Sequence, residues 1–208
     1  MENWLFGGLA VLLIGSIGTL IVLHQRQLRR RWADLQTRLD LHPIGAARFG
    51  LRYDLELAGA WRGVEVSYRL VTRGSGRGAV SYATVTARVA VPLPAGLEIS
   101  REGILDQVEK TLGGQDLQLG GEIDRLLRVR ADDRQTAALL LQDVGLRGAL
   151  RRLLQAHRAA RIVAGVVTIE ERADGLYEVD ELQKRLDRVR DVAAALANAA
   201  DKAGLSPG

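Results

Sequence analysis

From Trp4 to Leu23 the chain runs for 20 residues without a charged side chain. At about 1.5 Å per residue, a helix of that length covers roughly 30 Å, the hydrocarbon thickness of a bilayer. Backbone N–H and C=O groups in lipid must be satisfied within the segment, so the stretch has to be helical there. A buried core helix and a cleaved signal peptide are the two other uses of such a run. A signal peptide has a basic start, a shorter apolar run and a small-residue cleavage site. Here Glu2 is the only charged side chain before the run, and His24, Gln25 and Arg26 follow it. The sequence therefore predicts a transmembrane anchor over residues 1–24.

Charge then assigns a side. Arg26, Arg29, Arg30, Arg31 and Arg38 follow the run, opposed by Asp34. Positively charged flanks stay on the cytoplasmic side. The expected topology is a single pass of the inner (cytoplasmic) membrane, with the N-terminus outside and the rest of the chain in the cytoplasm. These five arginines are the candidate site residues, as topology determinants or as contacts to anionic headgroups. Gly8, Gly15 and Gly18 fall near one face of the anchor with Thr19 beside them, a pattern that lets helices approach closely. Residues 25–44 read as a basic juxtamembrane helix and linker. Within it Leu28, Trp32, Leu35 and Leu39 step by 4, 3 and 4, a narrow apolar stripe expected to dock on the chain's own domain. Pro43 is expected to close this helix.

Residues 45–203 form the expected domain and 204–208 a tail. Of the 208 residues none is cysteine, so disulfides and thiolate chemistry are excluded. The net charge is +4 with both signs interspersed, and aromatics are 4% of residues. That argues against a nucleic-acid surface and against stacking platforms for single strands. The fold class expected is α+β: the anchor, an antiparallel β meander, then a mixed strand and helix half ending in a long amphipathic helix. In the meander Tyr53 to Leu57 alternates, Gly59, Ala60 and Gly63 mark a turn, and Val64, Val66, Tyr68 and Leu70 alternate against Glu65, Ser67 and Arg69. Gly74 to Gly78 is a hairpin loop. A phosphate-binding loop would need a helix after it, and a strand follows instead. Val80 to Val91 continues the sheet, Pro92 and Pro94 end it, and Leu97 to Ser100 adds a short strand.

In the second half Glu122 to Arg130 reads as a strand, and Asp132 as the N-cap of a helix to about Gln142. Leu146, Leu150, Leu153 and Leu154 mark a second helix. Arg161 to Arg172 reads as one central strand, apolar on both faces from Ile162 to Ile169. Val179, Leu182, Leu186, Val189, Ala193, Leu196 and Ala200 then step 3, 4, 3, 4, 3, 4, with Glu181 and Arg185 paired on the polar side.

The segment Gly120–Arg130, with the helices that follow it, resembles a group of bacterial single-pass membrane-anchored domains of unknown function. The Gly59–Gly63 turn and the Leu97-Glu98-Ile99-Ser100-Arg101-Glu102 segment share that resemblance, which spans roughly residues 50–170. It implies the anchored architecture and no activity.

No chemistry-bearing constellation stands out. His24, His42 and His157 lack ligand-spaced partners, so no metal site is expected. Asp132-Asp133 and Glu170-Glu171 are adjacent pairs whose side chains diverge, and no serine lies in a nucleophile elbow. The expectation is a non-enzymatic scaffold or interaction module without cofactor, partnered by the bilayer and by a protein or a second copy, and not by nucleic acid. A small-ligand or lipid-binding domain is the alternative.

Overall fold

The computed structural model describes residues 2–49, 53–101 and 127–205, with side chains of the first helix described from Thr19 onward and that of Arg77 left out. Helix α1 runs unbroken from Glu2 to Leu39, about 57 Å at the standard rise. It stops at Asp40, which takes φ 51°, and the Leu41 N–H reaches back to the Gln36 carbonyl at 3.2 Å. This is a left-handed cap whose next residue, Leu41, is buried. Pro43 does not terminate the helix; with His42 it forms the edge strand β1 (His42–Pro43).

Strands β2 (Asp54–Trp61), β3 (Val64–Arg73) and β4 (Val80–Arg88) make the expected meander. The β2–β3 turn is tighter and later than the glycines suggested, with Arg62 at φ 49° and Gly63 at φ 84°, the twist-matched hairpin turn. Gly59 lies inside β2 because a Cβ there would sit 3.1 Å from the Asp40 carbonyl oxygen and from Leu41. Strand β5 (Glu98–Arg101) leaves the meander. It pairs with β6 (Leu127–Arg130) and β7 (Arg161–Val163), and β7 turns into β8 (Val166–Arg172). The sheet order is β1-β2-β3-β4-β8-β7-β5-β6 with antiparallel pairing throughout.

Arg161 to Arg172 is thus a hairpin and not one strand. Ala164 at φ 49° and Gly165 at φ 74° form its turn, inside an apolar run that hid it. Its second half is central, as expected, lying between β4 and β7. The short helices are α2 (Arg134–Leu140), capped by Asp133 where Asp132 was expected, and α3 (Val144–Ala156), capped by Asp143. Helix α4 (Val179–Lys202) ends the fold. Glu122–Leu126 of the expected strand, most of the Gly120–Arg130 segment that carries the resemblance, and residues 206–208 of the tail lie outside the described residues.

One face of the sheet carries the core. Leu57, Tyr68, Val85 and Ile169 are in register across four strands and all are buried. Every member of the predicted α4 stripe from Leu182 to Ala200 is buried, joined by Val192 and Ala199. The opposite face is polar, with Ser67 bonded to Thr86 at 2.8 Å and Arg73 to Glu170 at 2.7 Å. The architecture is α+β in two layers, helices over one face of an antiparallel sheet.

Helix α1 joins that core. Leu28, Trp32, Leu35 and Leu39 are each no more than 6% exposed, and Trp32 meets Phe49 edge-on at 6.2 Å. The segment read as juxtamembrane linker is therefore structural from Leu28 onward. Among the described residues no helix is long and apolar enough to cross a membrane. Most of the charge-free run, and the face formed by Gly8, Gly15 and Gly18, falls where side chains are not described.

Candidate functional site

Two groups of charged side chains stand out, one on α1 and one between α3, α4 and β8. On α1, Arg26, Arg29, Arg30, Arg31 and Arg38 are all exposed. Arg31 reaches Glu178 at 3.0 Å, with both side chains well exposed, a surface pair of small energetic worth. Arg26 and Arg30 lie on the side of α1 away from the buried stripe, as the 100° step per residue requires. Arg26, Arg29, Arg30 and Arg38 have no polar partner among the described residues. The structure does not gather the five into one pocket. It leaves them as a collar around the helix.

The second group was not visible in the sequence. His157 ends α3 and is 3% exposed, the one buried residue among those described, apart from tyrosine and tryptophan, with a polar side chain. Its Nδ1 lies 2.6 Å from Glu171 Oε1, and its Nε2 lies 2.7 Å from Nη1 of Arg188. A guanidinium only donates, so Nε2 accepts and the proton of the neutral ring is on Nδ1, donated to Glu171. Glu171 in turn accepts from Arg185 Nε at 3.3 Å and Nη2 at 3.1 Å. Arg185 also pairs with Glu181 at 2.9 Å and lies over the Tyr177 ring, 4.1 Å from its centroid. The pair of Glu181 and Arg185 therefore exists, but the Arg185 side chain is only 15% exposed and not a surface group. Its main role is to bridge α4 to β8.

Partial burial pushes the Glu171 carboxyl up, but the hydrogen bonds from His157 and Arg185 and the charge of Arg185 outweigh it and hold the group below the usual carboxylate range. Burial lowers Arg185, and Tyr177, Glu171 and Glu181 more than reverse that. Burial also pushes the Tyr68 and Tyr177 hydroxyls up. Glu170, the neighbour of Glu171, points to the opposite face and meets Arg73, as the alternation of a strand demands.

A histidine oriented by a carboxylate is half of a nucleophile-activating arrangement. Here the nitrogen that would take a proton is already occupied by Arg188. The network acts as a strut. A second tie, Lys202 to Asp143 at 2.7 Å, holds the other end of α3, so α3 runs antiparallel to α4 and is fastened at both ends. Between them an open-sided groove of about 510 Å³ is lined by Ala149, Arg152, Leu153, Gln155, Ala156, Arg188 and Asp191. A second groove of about 420 Å³ lies under the loop from Val89 to Leu97 and the β7–β8 turn. Among the described residues no three His, Asp or Glu side chains cluster as a metal site requires.

No family model matches the sequence. A search of curated proteins finds no match. A solved structure is similar in fold: the mycobacterial trehalose monomycolate transport factor A, TtfA, with a TM-score of 0.50 at 12% identity. The match covers 82% of this chain and 95% of that one. At that identity the likeness concerns the fold alone.

Proposed function

We propose that this chain is a single-pass membrane protein whose domain works as a non-enzymatic adaptor, held at the cytoplasmic face in a fixed pose. The observation that carries this is the continuity of α1. The helix has no break between the charge-free run and the buried stripe. Leu28, the first buried residue among those described, follows Leu23 by five positions, about 7.5 Å of helix. That is comparable to the depth of one headgroup layer, so the domain begins where the lipid ends. Four of the collar arginines, Arg26, Arg29, Arg30 and Arg31, lie at or just beyond the same level, which favours N-terminus out and domain in. The occupied His157 favours a binding role over turnover. A second reading, a small-ligand or lipid site, has in its favour the groove lined by Val91, Pro92, Leu93 and Val163.

The absence of cysteine makes the test clean. In Glu2→Cys and Ser206→Cys variants, a membrane-impermeant maleimide added to intact cells is expected to label the first and to reach the second only after lysis. Replacing Arg26, Arg29, Arg30 and Arg31 by glutamine is expected to mix the two patterns. Labelling of the Ser206→Cys protein in intact cells would overturn the topology, and release by alkaline carbonate would overturn the anchor. Robust turnover in a hydrolase and phosphotransfer screen, abolished by a single carboxylate or histidine substitution, would overturn the non-enzymatic assignment.

A further inference from the structure

The α3–α4 groove has an apolar floor and a cationic rim. The buried Ala149 and Leu153 supply the floor with the exposed Ala156 at its edge, and the exposed Arg152 and Arg188 form the rim. Arg152 has no polar partner among the described residues. Among the described residues Arg188 is bound only to the neutral His157. Asp191, the acidic group in the lining, is engaged by Arg190 at 3.0 Å. Among the described residues the rim thus carries two guanidiniums without a counter-charge, beside one carboxylate that already has a partner.

Arg188 is also prepared. An exposed arginine ordinarily samples many rotamers, and fixing one on binding costs free energy. Here a buried imidazole holds one guanidinium nitrogen, the imidazole is oriented by Glu171, and Glu171 is gripped by Arg185. A buried polar chain that ends on an exposed arginine fixes the direction in which its remaining N–H groups face. A planar fork held in that way suits a carboxylate.

The position of the groove excludes the chain's own bilayer as the source of the anion. Helices α1 and α4 run roughly parallel. Arg31 meets Glu178 near the membrane end, while further along Leu41 packs at Gly59, two residues from Trp61, whose indole N–H donates to Asp187 at 2.9 Å. Arg188 therefore lies roughly 25 Å beyond the end of the apolar run, counting the helical rise along both helices. The groove is open-sided, whereas sites for small molecules bury most of their ligand.

We infer that the α3–α4 groove is a docking site for an acidic segment of a soluble protein partner, with an Asp or Glu carboxylate held by Arg188 and Arg152 and its apolar neighbour laid on Ala149, Leu153 and Ala156. This deepens the adaptor reading and rests on it.

The test is a selection of random peptides displayed on phage against the full chain in phosphatidylcholine nanodiscs. The expected result is enrichment of peptides with an acidic residue next to an apolar one on the wild type, lost on Arg188→Gln and on Arg152→Gln. Arg69→Gln, on the open face of the sheet, should keep it. A synthetic copy of the enriched peptide should bind at least roughly ten-fold more weakly to Arg188→Gln, and so should the peptide with its Glu changed to Gln, as loss of a hydrogen bond to a charged group implies. His157→Phe should weaken binding while melting as a folded protein, and His157→Gln, which restores an acceptor, should recover part of it. Enrichment without acidic residues, or equal enrichment on Arg188→Gln, would overturn the proposal. Competition by inorganic phosphate well below millimolar would reassign the groove to a small anion and overturn it as well. Acidic selection by a chain that fails the labelling test would sink the anchor and leave the groove standing.

Discussion

The arginines of α1 and those of α4 are used in opposite ways. Around α1, four of five guanidiniums have no partner among the described residues, and the fifth makes an exposed pair. On α4, Arg185 is largely buried and bound to two carboxylates and a ring, and Arg188 is pinned by a histidine. Both helices present an apolar stripe to one core, so burial alone does not separate them. The difference is in what the polar side does. On α1 the charge is left free to meet something outside the domain. On α4 it fastens the domain together.

The largest effect should come from removing the α1 stripe. A chain beginning at Gly45, the boundary expected from sequence, loses Leu28, Trp32, Leu35, Leu39 and Leu41 from the core. It is expected not to give a cooperative thermal transition, whereas a chain beginning at Gln25 should melt cooperatively. Equal melting of the two would show that α1 rests on the domain without belonging to it.

Next comes the α4 stripe. Leu186 is fully buried, and Leu186→Ala should cost about 2–5 kcal/mol in denaturant unfolding of the chain from Gln25, because truncation there leaves a cavity. A loss below 1 kcal/mol would mean that the helix is not packed on the sheet as described.

The smallest effect sharpens the comparison of the two arginine groups. Arg185→Ala should cost about 1–3 kcal/mol, since it leaves Glu171 part-buried with one partner fewer. Arg30→Ala should be neutral within about 0.5 kcal/mol. Acid should tell the two apart again. Glu171 is held below its ordinary value in the fold, so its contribution is fully present above roughly pH 4–5 and is lost as pH falls through the lowered folded value. That acid-dependent part of the stability should shrink in Arg185→Ala and persist in Arg30→Ala. Identical acid profiles for the two variants would remove the strut.

These contrasts also mark what the sequence made legible. The α4 stripe was readable because its 3-4 period runs through seven positions without interruption, and strands β2 to β4 because one face is dry and the other wet. The β7–β8 turn was not readable. Its first residue, Ala164, gives no turn signature, and the flanking valines and isoleucines are apolar on both sides. Gly59 was misread as a turn because its glycine serves a close approach of Asp40 and Leu41, which no local pattern reports. Arg185 was misread because an i,i+4 pair looks the same whether or not its guanidinium also reaches a strand. His157 was invisible as a site because Glu171 and Arg188 lie 14 and 31 residues away in the chain, and only the packing of the α3 end against both β8 and α4 brings them together.

The unbroken course of α1 has a mechanical consequence. A rod of 38 residues with its first half in lipid, as proposed, and its last turns set in a core has no hinge at the water boundary. Transmembrane helices lean by about 20° on average, and the lean follows bilayer thickness. Over a lever of roughly 25 Å, the stretch of helical rise that separates the apolar run from Arg188, such a lean carries the groove sideways by about 9 Å. The protein would then translate the thickness of its membrane into the position of its binding surface.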